Sequence, residues 1–200
     1  MSELYRDFID RKLTEVDNDI VSKLDDVITA INNNIDSLVD GTITSYSTLG
    51  TFIKSSAFYN CRDLSSVSIP NVTQISTTAF RECVSLTSMI LPNVTNVGSN
   101  IFYGCSNLSF VDAYKLTAIS TGCFYDCTNL NVIVLRHSSV VITATQPFTN
   151  TPFDVNGTGG KLYVPQSLIT AYQGYTAWAT ILSNNVNNQI LPIEGSPYEF

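Results

Sequence analysis

The sequence predicts an α+β chain: a long N-terminal α-helix forming a coiled coil with an 11-residue period, then a solenoid of 22-residue repeats closed by a C-terminal capping helix. Three observations predict it. One phrase recurs four times at a constant spacing of 22 residues, as AFYNCRDLSSVSIP, AFRECVSLTSMILP, IFYGCSNLSFVDAY and CFYDCTNLNVIVLR. Nine aliphatic residues between positions 9 and 38 recur with steps of 4, 3, 4, 4, 3, 4, 4 and 3. A last apolar stretch at helical spacing follows the final strand-like segment. The implied organisation is a stalk over residues 1–41, a linker over 42–52, repeats over 53–165, and a capping helix with a tail over 166–200.

In the N-terminal segment, Ile9/Ile20/Ile31, Leu13/Leu24/Ile35 and Val16/Val27/Leu38 form three columns that are apolar throughout. A period of 11 residues over three turns predicts a straight or slightly right-handed coiled coil. Asp40-Gly41 supplies a stop, because Gly takes the left-handed conformation beyond a last turn without penalty. The alternative is a helix that caps the first solenoid coil of its own chain. Length opposes that, since about 37 helical residues span roughly 55 Å, whereas five stacked coils are only about 25 Å long. Self-association covers the excess stripe, and Ile-rich layers without a buried polar residue favour three or more strands. A parallel homotrimer through residues 4–40 is the expectation.

Within the repeats, Phe58, Phe80, Phe102 and Phe124 form one column, Cys61, Cys83, Cys105 and Cys127 a second, and Leu64, Leu86, Leu108 and Leu130 a third. The pairs Val67/Ile69, Met89/Leu91, Val111/Ala113 and Ile133/Leu135 alternate as strands with every second residue inward. One repeat cannot bury its own apolar face, whereas stacked coils share a continuous core. A fifth, degenerate coil follows: Val141, Ile142 and Phe148 resume the pattern with a two-residue slip, and Asn150-Thr151-Pro152 replaces the Asn-Cys corner. Asn156 to Gly160 turn into the strand Leu162-Tyr163-Val164-Pro165. The capping helix over Pro165 to Leu182 carries Leu168, Ile169, Tyr172, Tyr175, Trp178 and Ile181, and Ile190 to Ile193 makes a short closing strand.

These repeats resemble the BspA-like leucine-rich repeats, whose units carry an Ala-Phe-x-x-Cys-x-x-Leu-x-x-(Ile/Val)-x-(Ile/Leu)-Pro phrase; the likeness covers about residues 53 to 165. The end Leu162-Tyr163-Val164-Pro165 with Tyr172 and Trp178 is similar to the close of such proteins in gut bacteria and their phages. The resemblance implies a leucine-rich-repeat fold and surface binding or adhesion rather than catalysis. The third and fourth copies depart from it, with Tyr114 and Arg136 in place of the strand-end Pro and Cys123 in the small-residue position of Ala57 and Ala79.

The strand residues that point away from the core vary from copy to copy, as binding faces do. They run from Ser66, Ser68 and Ser88 to a second half rich in apolar anchors: Ile90, Phe110, Asp112, Tyr114, Val132, Val134 and Arg136, extended by Tyr163. These eight residues from Ile90 onward are the candidate binding surface. The other reading is that they pack against a neighbouring subunit or the C-terminal segment, and either way the patch is expected to be closed to water.

Composition excludes several classes. Residues 1–41 carry ten acids and four bases, net −6, while residues 42–200 carry seven acids and six bases, net −1. With no basic stripe, neither nucleic acid nor an anionic membrane is an expected partner. No apolar run reaches the length of a membrane span, and residues 1–41 lack a basic-then-apolar export signal, so synthesis in the cytoplasm is expected. Four of five cysteines share one interior column, which predicts free buried thiols; no CxxC pair or His cluster offers a metal site, and no cofactor is expected. His137 has no acidic neighbour in sequence, and Asp63, Glu82, Asp112 and Asp126 lie at different column positions, so no catalytic residues are assigned. Asn71-Val72-Thr73 and Asn93-Val94-Thr95 match a glycosylation sequon and are read as turn residues.

The expected function is therefore a non-enzymatic phage virion protein, a tail or head fibre or appendage. Its stalk would associate with itself and other virion proteins, and its repeats would meet a host surface polysaccharide or protein. A bacterial cell-surface adhesin and a cytoplasmic interaction scaffold are the alternatives.

Overall fold

Each coil is built by bending the chain around one Phe and laying two strands beside their counterparts one repeat away. The computed structural model describes residues 43–140, 142–143, 146–154, 159–181 and 190–199, all within one compact unit, Thr42–Phe200. The stalk residues Ile9, Leu13, Val16, Ile20, Leu24, Val27, Ile31, Ile35 and Leu38 lie outside the described residues, as do Val141 and the turn over 155–158.

Among the described residues, twelve strands run along two sides of the solenoid. On one side lie β1 (Ser45–Ser47), β3 (Ser66–Ser68), β5 (Ser88–Leu91), β7 (Phe110–Ala113), β9 (Val132–Leu135), β11 (Lys161–Val164) and β12 (Ile190–Pro192). On the other lie the two-residue strands β2 (Phe52–Ile53), β4 (Gln74–Ile75), β6 (Asn96–Val97), β8 (Ala118–Ile119) and β10 (Ile142–Thr143). Every pairing is parallel, and Ser88, Phe110 and Val132 stand in register one repeat apart. The described part of the segment expected as linker over 42–52 already belongs to this scheme: Tyr46 pairs with Val67, Phe52 with Gln74, and Ile43 is buried. The slip in the fifth coil is visible as Ile142 pairing with Ala118.

The core is a set of ladders. Phe58, Phe80, Phe102, Phe124 and Phe148 stack with centroids 5.1 to 5.8 Å apart and near-parallel planes. Tyr46 closes the near end at 4.4 Å from Phe58, and Phe153 and Trp178 close the far end against Phe148. Each ring gains the burial energy of a large apolar side chain plus an offset-stacking term. The thiol column lies beside it, with Cys83, Cys105 and Cys127 each donating Sγ–H to the carbonyl of the Phe of an earlier coil, Phe58, Phe80 and Phe102, at 3.0 to 3.1 Å. In the fifth coil Thr151 takes that corner, and its hydroxyl donates to Phe148 O within its own coil.

Turning the chain at every Phe requires two left-handed residues per coil. One column is Ser56, Thr78, Asn100, Gly122 and Gln146, the other Asn60, Glu82, Gly104, Asp126 and Asn150, all with φ between 52° and 72°. Gly122 meets that conformation without a side-chain penalty, and a Cβ there would require the Asn100 side-chain amide to move.

The capping helix takes a different form from the continuous one expected over Pro165 to Leu182. A 3-10 turn at Gln166–Leu168 leads into α1 (Ile169–Gly174), and α2 (Thr176–Ile181) follows after a break. The break is Tyr175, extended at φ −82° and ψ 112°. Gly174 lowers helix propensity just before it, and the bend lets Tyr172 and Trp178 pack together at 5.7 Å, both fully buried.

The strand-face sheet is interrupted once. β1 and β3 form a two-stranded sheet, while β5, β7, β9, β11 and β12 form a five-stranded one. In later coils the N–H groups of Tyr114 and Arg136 donate to Leu91 O and Ala113 O just past the strand end. The equivalent residue facing β3 is Pro92, which has no N–H to give Ile69.

Candidate recognition face

On the strand face, the outward residues fall into rows set by the ladder register: Ser88, Phe110 and Val132; then Ile90, Asp112, Val134 and Tyr163; then Pro92, Tyr114 and Arg136. Period-2 alternation puts them there because Met89, Val111 and Ile133 occupy the core side. The structure divides these residues in two.

The half beyond β5 is partly covered by the chain itself. Tyr198, from the segment after β12, stacks on Phe110 at 5.5 Å and meets Tyr163 edge-on at 4.7 Å. Arg136 reaches Asp112 with both Nε and Nη2, at 2.9 and 3.0 Å, and Nη2 also donates to Tyr198 O at 2.9 Å. Its guanidinium lies 4.9 Å above the Tyr114 ring, and the bond to Asp112 holds its pKa above the ordinary value for arginine. Asp112 is 3% exposed and Val134 fully buried, so neither is open to a ligand. Of the eight candidate binding residues, Ile90 at 52% and Tyr114 at 39% are the exposed ones, while Phe110, Val132, Arg136 and Tyr163 are half-buried. The expectation that the whole patch is shielded from water thus fails at Ile90 and Tyr114.

The other half is open. Along the interrupted seam runs a shallow groove of about 350 Å³, walled by Ser66, Ser68, Pro70, Ser88, Ile90 and Pro92. Its lining contains no charged side chain. It offers the hydroxyls of four serines, Ser65 among them already donating to Thr44 O, beside the flat apolar surfaces of two prolines and Ile90. Such a lining suits a neutral ligand carrying many hydroxyl or amide groups.

A second surface ladder escaped the sequence reading. Arg81 is sandwiched between Tyr59 and Tyr103, with Cζ 5.8 and 4.2 Å from the ring centroids, and Tyr103 stacks on Tyr125 at 4.8 Å. Glu82 accepts from Arg81 Nε at 3.2 Å. The signal was available: these are the residues that follow Phe58, Phe80, Phe102 and Phe124. The sequon-like Thr73 and Thr95, with Thr117, also have an assignable role, their hydroxyls donating to Thr51 O, Thr73 O and Thr95 O of the preceding coils.

His137 Nδ1 accepts from the Ser139 N–H at 3.1 Å in a local turn. Among the described residues no group of three or more His, Cys, Asp or Glu is placed to hold a metal ion, and no helix is long and apolar enough to cross a membrane. All five cysteines are free thiols.

Parallel coils of about 22 residues, a Phe-Cys-Leu core and a variable strand face define a leucine-rich-repeat solenoid. The family model for the BspA type leucine rich repeat region matches residues 51–155 in six copies. The chain belongs to that family. No curated protein matches it. Among solved structures, the crystal structure of the pneumococcal vaccine antigen PcpA aligns at 19% identity with a TM-score of 0.42, over 64% of this chain and 38% of that chain.

Proposed function

We propose that this chain is a non-enzymatic recognition protein, in which a leucine-rich-repeat head is carried by an oligomerising stalk over residues 1–41 as a fibre or appendage of a phage virion. The observation that carries the recognition part is the open, uncharged groove between β3 and β5, beside a half-face already occupied by the chain itself. The 11-residue aliphatic period supports the stalk, and a trimeric stalk would raise weak contacts of single heads through avidity. The ligand that best suits the groove is a neutral surface polysaccharide.

Membership of the BspA type family favours a second setting, an adhesin on a bacterial surface; a gene lying among secretion genes rather than virion genes would select it. Recognition and assembly are tested separately. On an array of bacterial surface glycans, the full chain should bind a subset, and Ile90→Asp should abolish that binding while leaving the melting temperature unchanged. Equal binding by Ile90→Asp, or none by the full chain, refutes the groove as the ligand site. Light scattering should give a trimer for the full chain and a monomer for a chain beginning at Thr42; a monomeric full chain rules out the stalk.

A further inference from the structure

The segment Glu194–Glu199 holds itself together largely by its own short-range bonds. Ser196 N–H donates to Ile193 O, Glu199 N–H to Ser196 O, Tyr198 N–H to Ser196 Oγ and Gly195 N–H to Glu199 Oε2. Among the described residues, its contacts with the solenoid beyond Ile193 include Glu194 Oε2 accepting from Gln166 N–H, Arg136 Nη2 donating to Tyr198 O, and the Tyr198 ring resting on Phe110 and Tyr163. Glu194, Gly195, Pro197 and Glu199 are exposed and Tyr198 is half-buried. A terminal segment whose residues are mostly exposed, with only Ser196 and Tyr198 half-buried, belongs to the low-stability end of a fold, which opens without global unfolding.

What lies under it is prepared for its occupant. Phe110 and Tyr163 supply a ring face and a ring edge, and Arg136 is aimed by two bonds to a nearly fully buried carboxylate, Asp112. A guanidinium fixed in this way donates to a main-chain carbonyl with little further loss of freedom. Phe110, Asp112, Arg136 and Tyr163 thus form a cradle that takes an aromatic side chain together with the carbonyl of the same residue. With Tyr198 withdrawn, Phe110 and Tyr163 would extend the exposed Ile90 and Tyr114 into one aromatic and aliphatic face, the composition of interface hot spots.

We propose that this cradle is a peptide-binding site for a tyrosine-bearing segment of another protein, held closed in cis by Tyr198. The site is distinct from the β3/β5 groove and does not depend on the virion setting proposed above. The occupant is a peptide and not a glycan, because the contact being copied is one residue's ring plus its own main-chain carbonyl.

The experiment uses the full chain with Tyr198→Ala, which leaves β12 and the capping helices in place, and a second variant ending at Ile193. The probe is a fluorescein-labelled peptide of residues 194–200 added in trans and followed by polarisation. Both variants should bind it at least tenfold more tightly than the unaltered chain, and a probe carrying Tyr198→Ala should bind none of the three proteins measurably. Arg136→Ala placed on the Tyr198→Ala background should weaken binding by tenfold or more. Equal binding by the unaltered chain and the variants overturns the proposal, as does no binding by variants that melt cooperatively. If neither variant folds, the segment is a structural part and the proposal fails equally.

Discussion

The buried thiol column makes this fold unusually sensitive to alkali. Burial pushes the Cys83 thiol up to about 12, with the neighbouring Cys61 thiol adding to the rise, and pushes Cys105, Cys123 and Cys127 well above the ordinary value of 9.0. The folded chain therefore holds these protons more tightly than the unfolded chain does. The stability linked to them is fully present below about pH 8.5, where unfolded thiols are still protonated, and is lost as pH rises towards the folded values. Each buried thiol costs about 1.4 kcal/mol per pH unit in that window, so four together would cost about 5.5 kcal/mol per unit. One unit then removes an amount comparable to the whole stability of a marginal domain, about 5–15 kcal/mol. The assay is guanidinium unfolding under a phosphine reductant at several pH values, for the unaltered chain and Cys105→Ala. Tyrosine and lysine titrations are shared by the two proteins and cancel in the difference. Cys105→Ala should be less stable by about 1–2 kcal/mol near pH 8, through loss of the Sγ–H bond to Phe80 O and of packed volume. That gap should close by about 1.4 kcal/mol per unit above about pH 9. A gap identical at about pH 8 and about pH 10.5 would show that the thiol is not withheld from ionisation by burial.

Two further outcomes follow from the packing. Phe102→Ala removes the middle rung of the aromatic ladder, a fully buried ring 5.8 and 5.6 Å from its neighbours, and should cost about 3–5 kcal/mol in chemical denaturation; a loss below about 1 kcal/mol contradicts a core organised around that ladder. Thr78 is β-branched yet sits at φ 58° in a column whose other members include Asn100 and Gly122, so Thr78→Asn should raise stability by about 1 kcal/mol, and a decrease would mean that its bond to the Ser56 hydroxyl outweighs the strain.

Much of the solenoid is legible in the sequence because its causes are local and repeated. Phe, Cys and Leu return every 22 residues, and a parallel stack puts equal positions of successive coils side by side, so each column becomes a ladder. The inward set Met89, Val111 and Ile133 and the outward set Ile90, Asp112 and Val134 follow from period 2 alone. Other regularities were present but disguised. The left-handed columns mix Ser, Thr, Asn, Gln, Glu, Asp and Gly, so a shared backbone requirement does not show as a shared residue. The Arg81 column is hidden likewise, since a guanidinium stands where the other copies have a ring.

By itself, then, the sequence determined the coil length, the core columns and which side chains leave the strand face outward. Only the tertiary structure decided which of those outward residues meet solvent. The sheet breaks between β3 and β5, although Pro92 has a counterpart one coil earlier in Pro70 at the end of a strand that does pair, and Tyr198 covers the opposite half from 62 residues beyond Arg136. Neither feature repeats with the period of the chain. A periodic pattern fixes the direction of a side chain through local backbone geometry, whereas its accessibility depends on which distant, non-repeating segment returns to cover it.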